Sequence, residues 1–417
     1  MTDQLDVVLN DLSLGPPTQV GTLYREGNGS GEVISFAYDR GYLALPWRIE
    51  IDPELPLHPG RNYPAHGRGI HGVFRDTAPD RWGRVLMERR EAIEAAQQAR
   101  RRRSLSDWDF LIGVNDQTRL GALRLRGIDP PHDYLDSRDR AAPPVARLRE
   151  LEVIARELSR EGVEDRPEYA QWLAQLITPG SSLGGARPKA SFTDEDGRLW
   201  LAKFPAHDDR HDIGAWEYFA YKLALAAGID MPDSRLLDFG SRYRTFAVTR
   251  FDRVDSSRRL YASAMTLLHF NDGAEGSYVD IAEALQLHGD PACIAQDLAQ
   301  LYRRIAFSIL ISNRDDHFRN HGFLRTAGGW RLSPAFDINP NPDKRTHALA
   351  IDEANPTPSL ANLHATHRYY RLTDIQASVI QAEVRAVVSG WQEIAADAGV
   401  SAAERRKLDD IIDPDCA

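Results

Sequence analysis

An α+β chain, with a β-rich N-terminal subdomain and a mainly helical C-terminal lobe, is the fold class that this 417-residue sequence predicts. Three observations carry the reading. Residues 1–130 are rich in Gly and Pro and hold short apolar runs that alternate at period two. Residues 145–252 change to helix, glycine loop, strands, helix and strands, and 253–417 read as mostly helical. At about 150 residues per domain, two to three packed units are expected, and these three segments are their natural bounds.

In chain order, VGTLYR (20–25) and EVISFAYD (32–39) read as strands, with Ile34, Phe36 and Tyr38 on one buried face. PDRWGRVLMERREAIEAAQQARRRR (79–103) has few breakers and many good helix formers. GALRLRG (121–127) reads as a further strand, so an antiparallel sheet is expected in this first unit. The Pro-containing, polar stretch 128–144 reads as a linker. RLWLAKF (198–204) alternates apolar residues on both faces and reads as a covered strand. DIGAWEYFAYKLALAAGI (212–229) follows as a helix with Asp212 as N-cap, Trp216, Phe219 and Leu223 at helical spacing, and Gly228 at the stop. TFAVTRFDR (245–253) is a strand, and IAQDLAQLYRRIAFSILISN (294–313) a long apolar helix. The last helix opens at Thr373 with Gln376 three residues on, a capping-box spacing.

Composition narrows the function classes. Lys and Arg total 51 against 61 Asp and Glu, a net charge of −10, which disfavours a nucleic-acid coat protein. Apolar residues at 42% and charged residues at 27% are ordinary globular usage. No apolar run approaches the roughly 18 residues of a membrane helix, and no leader is recognisable at the N-terminus. With two cysteines, Cys293 and Cys416, neither a disulfide framework nor a cysteine zinc site is expected, and the reducing cytoplasm is the expected location.

The chemistry concentrates in NRDDHFRN (313–320), where Asp315, Asp316, His317 and Asn320 follow an apolar helix. Burying so many ionisable groups without a task is expensive. Asp337, after Phe336, is a second acidic group on a loop. An Asp, an Asn five residues on, and another Asp after an aromatic some twenty residues later form the layout of a kinase catalytic loop and metal segment. In it Asp315 accepts the hydroxyl proton, and Asn320 and Asp337 hold Mg²⁺ through oxygen. Lys203, on a strand, and Glu217, on the next helix, suit the lysine–glutamate pair that positions ATP phosphates. SSLGGARPK (181–189) offers backbone amides at Gly184, Gly185 and Ala186 for phosphate oxygens. It is not a Walker loop, because Ala186 and Arg187 stand where Lys and Ser/Thr are required.

Together these segments resemble the HipA family, the kinase toxins of type II toxin–antitoxin pairs. SSLGGARPK is similar to that family's S-x-x-G-A-x-x-K loop, LAKFP to its strand lysine, TRFDR to its hinge, NRDDHFRN to its N-x-D-x-H-x-x-N loop and AFDINP to its metal aspartate. VGTL, LPLHPG, PDRWGR and DFLIGVNDQTRLGAL extend the likeness into the N-terminal subdomain. The resemblance implies a two-lobed, protein-kinase-like fold and a Ser/Thr protein kinase using ATP and Mg²⁺. It implies nucleotide contacts from Ser182, Leu183, Gly184, Gly185, Ala186, Lys189, Lys203, Glu217, the hinge residues Thr249 and Phe251, and the loop residue His317, which is expected to brace the catalytic loop. Ser182 is the implied autophosphorylation site, with Ser181 as the adjacent alternative. The implied substrate is a protein of the translation machinery, aminoacyl-tRNA synthetases among the family's targets. The implied partner is a small helix-turn-helix, HipB-like antitoxin, with DNA touched only through that complex and no membrane involved.

Two rival functions stand beside this one: a catalytically idle protein that sequesters an antitoxin or co-represses its operon, and a small-molecule hydroxyl kinase. The arginine run Arg100 to Arg103 reads as a solvated helix end, with phosphate contact as its alternative. His317 and His321 are four apart, but Phe318 stands where a zincin has its Glu.

Overall fold

The computed structural model describes residues 3–27, 29–65, 67–130, 133–135, 142–176, 185, 187–254 and 257–413. Packing divides the chain into two units, Met1–Asp208 with Asp252–Ala262, and Asp209–Phe251 with Ser263–Ala417. Residues 145–252 are thus shared between both units.

The first unit is built on a five-stranded antiparallel sheet. Its strands are β1 (Gln4–Leu9), β2 (Thr18–Glu26), β3 (Val33–Tyr38), β4 (Arg61–Asn62) and β5 (Leu123–Gly127), in the order β4-β3-β2-β1-β5. Three were expected from their alternation. On β3, Ile34, Phe36 and Tyr38 are buried as the period-two pattern requires. Phe36 meets Tyr38 edge-on at 4.9 Å and Phe74 at 5.3 Å, and burying each such ring contributes about 1.5–3 kcal/mol. The strand missed in sequence is β1, which pairs with both β2 and β5. Its QLDVVL run has four consecutive buried residues after Leu5 and so lacks a clean alternation.

The helix expected over 79–103 is α1 (Arg81–Gln97). Asp80 caps it by accepting the Gly83 N–H at 2.8 Å, and the chain leaves it through Ala99 at φ +47°. The arginine run then folds back on α1. Arg100 makes a bidentate pair with Glu91 at 2.5 and 3.0 Å, and Arg103 reaches Asp109 at 2.9 Å. Arg102 lies 3.8 Å from Glu88, so three of the run's four cations are engaged within their own unit. Helices α2 (Leu148–Leu158) and α3 (Tyr169–Leu176) precede the hairpin β6 (Lys189–Thr193) and β7 (Leu199–Lys203), which pairs Lys189 opposite Lys203. On β7, Leu199 to Ala202 are all buried, as expected of a strand covered on both faces.

The second unit opens with α4 (Ile213–Ala226), where Asp212 accepts the Ala215 N–H at 3.0 Å and Gly228 takes φ +75° beyond the stop. Trp216, Phe219 and Leu223 are buried. The hairpin β8 (Ser234–Leu237) and β9 (Thr245–Thr249) follows. The unit also holds helices α5 (Tyr278–His288) and α6 (Ile294–Leu310), the hairpin β10 (Gly322–Arg325) and β11 (Trp330–Leu332), and α7 (Asp374–Ser389), α8 (Trp391–Asp397) and α9 (Ala402–Asp409). On α6, Leu298, Leu301, Tyr302, Ile305 and Ile309 repeat at helical spacing and are buried, so this helix is the core of the unit. The Thr373–Gln376 capping box forms as the sequence expects. Among the described residues no helix is long and apolar enough to cross a membrane.

Candidate active site

The buried end of α6 delivers the NRDDHFRN segment. Ser312 turns the chain out of the helix at φ +58°, and its hydroxyl donates to the Ile411 carbonyl. Beside it the Asp413 N–H donates to the Leu310 carbonyl at 3.0 Å, so the segment 411–413 lies against the entrance to the loop. Asn313 is buried. Its Nδ2 donates to Ser308 Oγ at 3.1 Å and its Oδ1 accepts the Asn339 N–H at 3.2 Å. That second bond fastens the Asp337 segment to the catalytic-type loop, with the Asn341 N–H on the Ser312 carbonyl at 2.8 Å as a further tie.

The two adjacent carboxylates have opposite environments. Asp315 is exposed, and the Lys344 ammonium contacts its Oδ1. Asp316 is buried and accepts the Tyr278 hydroxyl at 2.8 Å, while His321 Nε2 lies 3.0 Å from its other oxygen. Burial alone would raise the Asp316 carboxyl, but His321 and the Tyr278 hydroxyl outweigh it and hold the group below its ordinary value. Burial, together with the Asp316 charge, pushes the Tyr278 hydroxyl well above the usual phenol range. His347 Nδ1 is 3.4 Å from the same hydroxyl, and burial lowers this imidazole to about 4. The buried quartet Tyr278, Asp316, His321 and His347 therefore braces the loop. His317, expected in that role, has an exposed side chain, and among the described residues no hydrogen bond from its ring is found. Tyr278 and His347 come from distant positions and carried no local signal in the sequence, whereas His321 directly follows the loop.

Asn320 donates through Nδ2 to the Asp315 carbonyl at 3.3 Å, and its Oδ1 is buried with no hydrogen-bond partner among the described residues. A buried amide oxygen left without a donor costs about 1–3 kcal/mol, which a hard cation would recover. Asp337 adopts φ +58°, a conformation sparsely populated by non-glycine residues and typical of functional positions. An amide oxygen and a carboxylate on mutually fastened segments are the donors Mg²⁺ takes. Phe336, beside Asp337, stacks on Phe251 with ring centroids 5.3 Å apart, and the Thr249 N–H donates to the Asp233 carbonyl at 2.8 Å.

In the first unit, Lys189 is buried at the foot of the glycine loop, its ammonium on Asp80 at 2.7 Å and on the Gly185 carbonyl at 3.1 Å. Gly185 takes φ +96°, where a side chain would be strained. Ser182, Leu183, Gly184 and Ala186 lie outside the described residues. Lys203 ends β7 half-buried in the first unit, and Glu217 is buried on α4 in the second.

The fold is α+β and protein-kinase-like, as the sequence predicts. The model of the HipA-like C-terminal domain matches residues 181–397 and that of the HipA N-terminal domain matches 5–124. The chain belongs to the HipA family. It is 23% identical over 265 residues to the serine/threonine-protein kinase toxin HipA of Shewanella oneidensis, a match covering 55% of this chain and 59% of that relative, so it spans less than two thirds of the relative's length. HipA in a solved complex of Shewanella oneidensis HipA, HipB and operator DNA shares the fold at TM-score 0.62 and 14% identity, over 94% of this chain and 90% of that one.

Proposed function

We propose that this protein is a Ser/Thr protein kinase of the toxin type, acting in the cytoplasm with ATP and Mg²⁺. The observation that carries the reading is the fastening of the Asp337 segment to the Asp315 loop through Asn313, with Asn320 bonded to the Asp315 carbonyl within it. In this reading Asp315 takes the proton of a Ser or Thr hydroxyl as its oxygen bonds to the γ-phosphorus. The bond from that phosphorus to the bridging oxygen of ADP breaks, and ADP leaves. Asn320 and Asp337 supply oxygens to Mg²⁺, which when bound neutralises phosphate charge. Lys203 is the lysine assigned to the α- and β-phosphates and Glu217 the glutamate of that motif, the amides of Gly184 to Ala186 receive phosphate oxygens, and Thr249 and Phe251 border the adenine. Lys189 anchors the base of that loop through Asp80. Ser182 is the proposed autophosphorylation site, since a phosphate there competes for the same amides. A protein of the translation machinery is the proposed substrate, and a HipB-like antitoxin the proposed partner and route to DNA, as in the Shewanella complex.

Peptide mass spectrometry after incubation with ATP and Mg²⁺ tests this, beside Asp315→Asn. Phosphate on the 181–189 peptide of the wild type alone supports the reading. No phosphate on any protein overturns it, whether or not ATP binds by calorimetry.

A further inference from the structure

The lysine on Asp315 belongs to no motif of the catalytic-type loop: Lys344 arrives from 29 residues further along the chain. Its backbone is sewn in place. Arg314 Nη1 donates to the Lys344 carbonyl at 2.5 Å, and the Ala348 N–H donates to the Arg314 carbonyl at 3.0 Å. The ammonium, by contrast, sits at the end of a four-carbon arm, and both partners are open to solvent, with Asp315 59% and Lys344 45% exposed. Such an exposed pair stabilises by only about 0–1 kcal/mol, so exchanging one anion for another is cheap. The two arginines of the loop are committed elsewhere, Arg314 to that carbonyl and Arg319 to Asp272 at 2.7 and 3.0 Å. A hydroxyl that donates to Asp315 Oδ1 displaces the ammonium from that oxygen. At that moment the phosphorus it attacks stands about 3–3.5 Å from the hydroxyl oxygen, within one swing of the lysine arm.

We propose that Lys344 is a phosphate ligand of this site, exchanging the Asp315 carboxylate for the γ-phosphate of bound ATP. The inference rests on the phosphotransfer reading for the identity of its ligand. Lys344 neither forms nor breaks a covalent bond. Its charge faces the oxygens over which negative charge spreads as the phosphoryl group transfers.

The test is calorimetric affinity for ATP and ADP with Mg²⁺, on the full chain, for wild type, Lys344→Met, Lys344→Arg and Asp315→Asn. The wild type should prefer ATP. Lys344→Met should lose about tenfold or more of that preference, the worth of one charge-assisted hydrogen bond, and Lys344→Arg should retain most of it. Asp315→Asn should strengthen the preference, because the competing carboxylate is gone. A preference that Lys344→Met leaves intact, or a wild type with none, overturns the inference. Phosphate transfer, followed in the same samples, separates the two claims. A lysine-dependent ATP preference without transfer upholds this inference and sinks the kinase reading, whereas transfer with an indifferent Lys344 does the reverse.

Discussion

The ammonium of Lys189 and the carboxylate of Asp80, 109 residues apart in sequence, meet at 2.7 Å with side chains only 1% and 5% exposed. Asp80 at the same time caps α1, so one carboxylate ties the helix of the PDRWGR segment to the foot of the glycine loop. Lys189→Met leaves that charge buried and should cost about 3–5 kcal/mol in urea unfolding. Adding Asp80→Asn should restore a large part of the loss. Equal stabilities of the single and double variants would contradict the coupling.

Tyr278→Phe removes the hydroxyl that Asp316 accepts without emptying the space around the ring. A hydrogen bond to a charged acceptor is worth about 1.5–3 kcal/mol, and that destabilisation is expected by chemical denaturation. Asp316→Asn should destabilise as well, and the two changes together should fall short of their sum, since both weaken the same interaction.

Acid should weaken the fold through His347. Its folded pKa, about 4, lies below the ordinary 6.5, so the unfolded chain binds the extra proton first. Stability is fully present above pH 6.5 and declines as pH falls toward 4, by an amount on the order of 3 kcal/mol. The Asp316 contribution, from a lowered carboxyl, is lost at lower pH still. His347→Gln should flatten the pH 6.5 to 4 limb of the stability curve measured by thermal melts, and an unchanged limb would refute the assignment.

Asn320→Leu should separate folding from metal affinity. It removes a buried oxygen without a partner among the described residues and gives up only the 3.3 Å bond to the Asp315 carbonyl. Stability should change by less than about 1 kcal/mol, while the Mg²⁺ concentration needed for ATP binding rises severalfold. Titrating Mg²⁺ against bound nucleotide reads this directly.

Local signals explain what was legible in the sequence. The face of Ile34, Phe36 and Tyr38 follows from period two, and the start of α7 from Thr373 and Gln376, because in each case the interacting atoms are a few residues apart. The chemistry-bearing cluster from Asp315 to Asn320 was visible for the same reason: its members share one short loop. What holds that loop was not. Tyr278 reaches Asp316 from 38 positions away, His347 reaches the Tyr278 hydroxyl from 69, and Lys344 reaches Asp315 from 29, so only the tertiary fold brings them together. β1 escaped notice because a strand paired on both sides and buried along most of its length loses the alternation that marks a half-buried one.

The contacts of Ser312 with Ile411 and of Leu310 with Asp413 carry a consequence for biosynthesis. Translation proceeds from the N-terminus, so a nascent chain that has already exposed NRDDHFRN still lacks the segment that closes over its entrance. The loop is completed only when residues 411–413 have left the ribosome. A chain stalled short of that point carries every group of the candidate centre and lacks the clasp that sets their geometry. Timing of this kind delays the assembly of the candidate centre until synthesis of the clasp is finished.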